Sequence, residues 1–151
     1  MSGLQARDPD FARRVRDSFA RQSLMTTLGA ALDEIAPGRA VVVCPSGPHI
    51  LQQHGFLHGG TVASLADTAA GFASMSLMEP GFGILTVEFK INFLAPAMGE
   101  RFVTVGEVLK PGRTLTVAQA EVFAERDGRR NAVALLTATM MRIEGRPGVV
   151  D

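Results

Sequence analysis

The stretch LHGGTVASLADTAAGFASMSLM, residues 57–78, decides the fold. From residue 61 to residue 77 every side chain is apolar or small and polar, with the single exception of Asp67. Leu65, Phe72, Leu77 and Met78 supply bulk, whereas Ala66, Ala69, Ala70, Gly71 and Ala73 keep the surface slim. A helix that is apolar nearly all round is buried against protein, not mounted on a surface. Asp is a poor helix former, and desolvating its carboxylate is costly unless something pairs or hydrogen-bonds with it. Ahead of the helix, His58-Gly59-Gly60 leaves thinly covered amides at the positive end of the helix dipole. Amides that can receive an oxyanion, with a carboxylate about two turns further on, point to acyl transfer.

Length and composition bound the rest. At 151 residues the chain is long enough for one domain with a substantial core. Fifteen basic residues balance fifteen acidic ones, so nucleic-acid binding has no electrostatic support, and no recognition module is visible. A single cysteine, Cys44, excludes an internal disulfide and fits a reducing compartment. The amino-terminal MSGLQARDPDFARRVRD is charged and lacks the apolar centre of a signal peptide. The one stretch long enough to resemble a membrane span holds Asp67 and reads as protein-buried. A cytoplasmic protein with no membrane or nucleic-acid partner is the expectation.

Taken in order, residues 10–22 place Phe11, Val15 and Phe19 at i, i+4 and i+8. That spacing predicts an amphipathic helix with Arg13, Arg14, Arg16 and Asp17 on its wet side, capped by Asp8 or Asp10. Residues 28–35 and 39–43 flank Ala36-Pro37-Gly38 and read as two strands joined by a tight turn. Cys44 reads as a buried structural thiol, and residues 46–56 as loop. Residues 86–93 alternate strictly, with Val87, Phe89, Ile91 and Phe93 opposing Thr86, Glu88, Lys90 and Asn92. This is the pattern of a half-buried strand. Residues 101–109, 114–124 and 131–143 supply three further strands, separated by Pro111-Gly112 and Asp127-Gly128 turns. The expected organisation is a helical segment over residues 1–24, one domain over 25–145, and a frayed tail over 146–151. Its class is α+β: an antiparallel sheet wrapped around one long helix. The exposed edges of such a sheet call for a second copy of the chain.

Several signals are bland when weighed against alternatives. His54 and His58 have the spacing of a helical zinc pair, but Gly55, Gly59 and Gly60 argue against a helix there, and no Cys or Glu joins them. No metal is expected. A phosphate cradle lacks its lysine, and a nucleophile elbow lacks its serine motif. The structural alternatives are that Asp67 serves only to bond Ser64 or another hydroxyl, and His58 only to fix its turn.

The segment from His54 to Gly60, HGFLHGG, followed by Leu65-Ala66-Asp67-Thr68, resembles the hotdog-fold thioesterases of the PaaI type. The residues TVEFKINFLAPA at 86–97 and the Gly99-Glu100 step extend the resemblance to roughly residues 25–143. It implies an acyl-CoA thioesterase with no cofactor, coenzyme A being part of the substrate. Asp67 would act as general base or nucleophile, and the Gly59 amide would polarise the carbonyl. His58 would shape the loop, and Thr86 would hold the attacking water. The family's asparagine falls on Gln52, one methylene longer. Gly60, Arg113 and Lys90 would contact substrate, Arg113 meeting the coenzyme A phosphates, with Lys90, Arg126 and Arg129 as weaker candidates for them. A homodimer with shared sites, doubled into a tetramer, is also implied. Two rival readings follow from other chemistry. A hydratase would use His54 or His58 with Glu88 as an acid–base pair, and a non-catalytic acyl-CoA-binding module is suggested by Gln52.

Overall fold

The computed structural model describes residues 3–149. Helices α1 (Phe11–Ala20) and α2 (Ser23–Leu28) come first, then β1 (Ala31–Ala36) and β2 (Arg39–Pro45). The central helix α3 (Gly59–Met75) follows, and then β3 (Phe82–Phe93), β4 (Arg101–Lys110), β5 (Leu115–Arg126) and β6 (Arg129–Glu144). All six strands pair antiparallel in one sheet, in the order β1-β2-β4-β5-β6-β3. The sheet wraps α3, which is the hotdog arrangement. Among the described residues no helix is long and apolar enough to cross a membrane.

Small residues on both sides let helix and sheet approach closely. On α3, Ala66, Ala69, Ala70 and Ala73 are fully buried, and opposite them Ala118, Ala120, Ala134 and Ala138 are buried as well. At Gly106 of β4 the fit is tightest. A Cβ there would lie 2.3 Å from the carbonyl carbon and oxygen of Ala69 and 2.8 Å from the Ala70 nitrogen. Only glycine allows the backbone of α3 to come this near. Phe19 of α1 closes the far side of α3 against Phe72, ring centroids 5.5 Å apart.

Four expectations need correction. Residues 28–30 do not open the first strand. Leu28 ends α2, Gly29 takes a left-handed φ of +72° and bonds back to Thr26, and the strand starts at Ala31. Arg14 is not on the wet face of α1. It is 9% exposed, pairs with Asp8 at 2.9 Å, and donates to the Met78 carbonyl just beyond α3. That bond ties the amino-terminal segment to the end of the central helix. Asp10 occupies the N-cap position of α1 without a side-chain bond, while Asp8 accepts from the Asp10 amide at 2.9 Å. The carboxy-terminal end folds back, with the Val149 carbonyl beside Gly83. Residues 150 and 151 of the expected tail lie outside the described residues.

The strand with the clearest alternation, β3, is an edge strand. A β-bulge falls between Thr86 and Glu88: Thr86 pairs with Met140 and Glu88 with Thr139, so Val87 is the extra residue. Thr86 therefore faces the helix together with Phe89, Ile91 and Phe93, and not with Glu88, Lys90 and Asn92. Those three point to the outer face, where Thr139 donates to Glu88 at 2.5 Å. Phe93 remains 56% exposed and Val87 54% exposed on the open edge.

Candidate active site

Two groups of candidate residues form around α3. In the first, Asp67 projects from the face of α3 that turns away from the sheet's centre toward the start of β3. The Thr86 hydroxyl donates to its Oδ1 at 2.7 Å. Asp67 is half-buried, and among the described residues no cation pairs with it. Burial pushes its carboxyl above the ordinary carboxylate range, and the Thr86 bond opposes that rise in part. The result is a carboxylate more basic than usual, oriented by one hydroxyl and open on one side. Ser64, the neighbour expected in a purely structural reading, instead donates to the Gly60 carbonyl at 2.8 Å.

The second group surrounds the amino end of α3. His58 is the N-cap, and its Nδ1 accepts from the Gly60 amide at 2.8 Å. This bond holds the imidazole ring against the start of the helix. It also uses up the Gly60 amide, while the Gly59 amide has no acceptor among the described residues. Phe93 covers one side of Gly59: a Cβ there would meet its ring at 3.3 Å. The loop feeding this end is held by an isolated bridge between Leu51 and Leu57. Within it, the Gln52 carboxamide oxygen accepts from the His54 amide, and its backbone pairs with Phe56. The Gln52 side chain so engaged retains its NH₂ donors.

The structure thus joins Asp67 with Thr86, and joins His58 with Gly59 and Gly60, while Gln52 bonds within its own loop to His54 and Phe56; the two groups stand apart. Lys90 stands on the outer face of β3, opposite Thr137, away from both. Arg113 is exposed in the β4–β5 turn without an ion-pair partner among the described residues. Glu88 also faces outward, so it forms no pair with His54 or His58. Cys44 is buried, bonds the Leu28 carbonyl at 3.3 Å, and has its thiol pushed up by burial, which suits a structural role. Beside Asp67 the structure opens a cavity of about 200 Å³ whose lining includes Gln22, Gly71, Ile84 and Met140. Sequence reasoning did not reach these four. The available signal was Gly71, a glycine four residues after Asp67 inside an alanine-rich helix.

A half-buried, hydroxyl-bound carboxylate and an amide without an acceptor among the described residues, both on one helix wrapped by a sheet, are groups suited to acyl-transfer chemistry. Residues 54–130 match the family model described as Thioesterase superfamily. A thioesterase family protein from Silicibacter pomeroyi is 55% identical, with a TM-score of 0.88 over 89% of this chain and 99% of its own. The PaaI protein of the E. coli phenylacetic acid degradation operon superposes with a TM-score of 0.81 at 25% identity, over 90% of this chain and 95% of its own. The medium/long-chain acyl-CoA thioesterase YigI of Escherichia coli is 30% identical over 98 residues, 56% of this chain and 61% of its own length. The chain belongs to the thioesterase superfamily. It is a PaaI-like hotdog enzyme, a hydrolase acting on thioester bonds.

Proposed function

We propose that the protein hydrolyses an acyl-CoA at a site assembled from two copies. The Gly59 amide of one copy polarises the thioester carbonyl, and Asp67 of the other directs the attack. The observation that carries this reading is a distance. Gly59 and Asp67 stand eight residues apart on one straight helix, or about 12 Å at 1.5 Å per residue. An oxyanion donor must lie roughly 3 Å from the carbonyl oxygen, and a base within about one hydrogen bond of the attacking water. One chain therefore cannot bring both groups to one carbonyl. The open edge of β3, with Val87, Phe89, Phe93 and the adjoining Leu94 exposed, supports pairing with a second copy. Two-fold pairing there runs the two α3 helices side by side in opposite senses, bringing the start of each toward the middle of the other.

In the reaction, Asp67 takes a proton from a water positioned with the help of Thr86. The water oxygen bonds to the carbonyl carbon, and the carbonyl electron pair moves to an oxygen held by the Gly59 amide, typically worth about 3–4 kcal/mol. Collapse breaks the carbon–sulfur bond, and the departing thiolate recovers the proton. A carboxylic acid and free coenzyme A result. Direct attack by Asp67, giving a mixed anhydride, uses the same groups; ¹⁸O entering the Asp67 carboxylate in a single turnover distinguishes it. Arg113, exposed and unpaired, is the better placed of the proposed cations for the coenzyme A phosphates, since Lys90 faces outward. The outward Glu88 also leaves the hydratase reading without its acid–base pair.

The test uses two dead variants. Asp67→Ala removes the base. Gly59→Pro removes the amide at the first helical position, where proline is tolerated, after a His58 already in the extended conformation proline requires (φ −60°, ψ 135°), with the Phe93 ring, 3.3 Å from the added Cβ, giving way by a few tenths of an ångström. Each alone should release coenzyme A from acyl-CoA at least about 100-fold more slowly than wild type. Co-refolded in equal amounts, they should recover about a quarter of wild-type activity, because half the dimers carry one intact site. Absence of recovery, with mixed dimers demonstrated, would place both groups in one chain and sink the shared-site reading. Full activity in Asp67→Ala would sink the hydrolytic role of Asp67.

A further inference from the structure

The cavity beside Asp67 continues past the carboxylate. Gly71 follows Asp67 by four residues and so lies one turn further along the same face of α3. A Cβ at Gly71 would meet no atom within 4 Å beyond its own helix backbone, in contrast to Gly106, where the backbone of α3 leaves no room. Glycine inside a helix is destabilising relative to alanine, and no packing contact requires it here. What its missing side chain does is keep open the middle of the 200 Å³ cavity.

The walls mix polar and apolar groups. Thr68, Thr86 and Met140, whose sulfur lies 3.5 Å from the Thr86 hydroxyl, stand near Asp67, where a thioester would react, and Phe72, Ile84 and Leu85 add apolar surface. Thr86 and Ile84 lie two residues apart on the helix-facing side of β3, in register with Met140 and Arg142. They run beside Asp67 and Gly71 as a matching row. Gln22, from the link between α1 and α2, lines the cavity as well. Its amide bonds the carbonyl of Phe19, the residue that stacks on Phe72, so the same end of α1 fixes both Gln22 and Phe72.

Resting on the hydrolase reading above, the geometry points to Gly71 as the residue that selects the acyl group. An apolar chain of about six to eight carbons runs from Asp67 over Gly71 toward Gln22 and Ile84. The roughly 200 Å³ that this chain contributes is of the right order for such a chain at about 30 Å³ per methylene-sized group.

The experiment measures kcat/KM for straight-chain acyl-CoAs from butyryl to dodecanoyl, and in parallel the affinity for the matching non-hydrolysable alkyl-CoA thioethers. In the wild type, each added methylene should raise kcat/KM and affinity about threefold to fourfold, until the chain reaches six to eight carbons and the gain stops. Gly71→Leu should erase the gain beyond butyryl, lowering the octanoyl-to-butyryl ratio at least about thirtyfold. Gly71→Ala, which strains nothing, should shorten the optimum by one or two carbons, and Gln22→Ala should lengthen it. A wild-type profile flat with chain length, or a profile that Gly71→Ala and Gly71→Leu leave unmoved, overturns the inference while hydrolysis itself stands. Absence of turnover with thioether binding that still depends on chain length and on Gly71 overturns the hydrolase reading and leaves the inference intact.

Discussion

Replacing Gly106 with alanine tests whether the helix that carries the base is held by its contact with the sheet. The added Cβ would lie 2.3 Å from the Ala69 carbonyl carbon and oxygen, against an ordinary carbon contact of about 3.5–4.0 Å. The obstacle is helix backbone, which cannot rotate aside as a side chain can. To relieve the contact, α3 must retreat by about 1 Å or more. Overpacking of this kind costs typically 1–3 kcal/mol, and the rigidity of the obstacle puts Gly106→Ala in the upper part of that range. Relief of the glycine's own entropic cost in a strand returns roughly 0.5–1 kcal/mol. A net loss of about 2 kcal/mol corresponds to a fall in melting temperature of about 4–8 °C for a chain of this size.

The catalytic consequence is larger than the thermodynamic one. Asp67 precedes Ala69 by two residues on the same rigid helix, so it moves with it, and misplacing a reacting group by 1 Å can cost about 100-fold in rate. Circular dichroism melts at matched protein concentration, with thiol release from octanoyl-CoA, give both numbers. The control for stability alone is Gly71→Ala, which adds a methyl group to the same helix where nothing lies within 4 Å and should raise the melting temperature by about 2–4 °C. A Gly106→Ala protein that melts within about 1 °C of wild type and turns over at full rate would refute the claim that this contact positions Asp67.

Other outcomes follow from the same geometry. Because burial raises the Asp67 pKa, the folded protein holds that proton more tightly than the unfolded chain, and the carboxylate destabilises the fold as pH rises through this range. Asp67→Asn should therefore be inactive yet melt higher than wild type at pH 7, the difference vanishing toward about pH 3, where both forms are neutral; urea melts across pH check the sign. Wild-type activity should rise with pH through Asp67's raised pKa, and Thr86→Val, which removes the donor that lowers it, should move that limb to higher pH as read in kcat/KM profiles. Arg14→Met should lower the melting temperature well below that of Arg13→Ala, since Arg14 leaves buried Asp8 and the Met78 carbonyl unpaired, whereas Arg13 pairs only with exposed Asp10 and Asp17. Asp8 is held below the ordinary carboxylate range by the Asp10 amide and by Arg14, so its contribution should be lost as pH falls through that lowered pKa, seen as acid-side loss of stability absent in Asp8→Asn.

Much of this was legible before any coordinates, and the reasons are local. The slim apolar run around Asp67 could only be a buried helix, and four alternating or β-rich segments after it could only be a sheet that covers it. Asp67 announced itself because a lone carboxylate in such a helix has to be matched by a partner. What local pattern did not carry was anything set by two segments meeting. Arg14 has helical spacing that puts it near solvent, and only the end of α3 arriving above it makes it buried. Gly71 and Gly106 are both isolated glycines in regular elements, identical in propensity. One faces open space and the other faces backbone. Gln22, half-buried in a link between short helices, enters the cavity only because Phe19 docks on Phe72.

Thr86 is the sharpest case, because two readings of the same sequence disagreed about it. Period-two alternation assigns Thr86 to the polar face with Glu88, Lys90 and Asn92, away from the helix. The family resemblance assigns it to the site. The alternation holds from Glu88 onward and fails at Thr86, which turns toward the helix, and Val87 is the reason. As the extra residue of the bulge it resets the alternation, so that Thr86 turns inward on one side while Phe89, Ile91 and Phe93 turn inward on the other. Regular pleating would have placed Glu88 on the helix-facing side with Thr86, and a second carboxylate facing that side would have raised both pKa values by repulsion. The bulge instead leaves Glu88 accepting from Thr139 on the outer face and leaves Asp67 with a single hydroxyl donor. One inserted residue in an edge strand thus separates a base that is desolvated and singly bonded from a neighbouring carboxylate that would have disabled it.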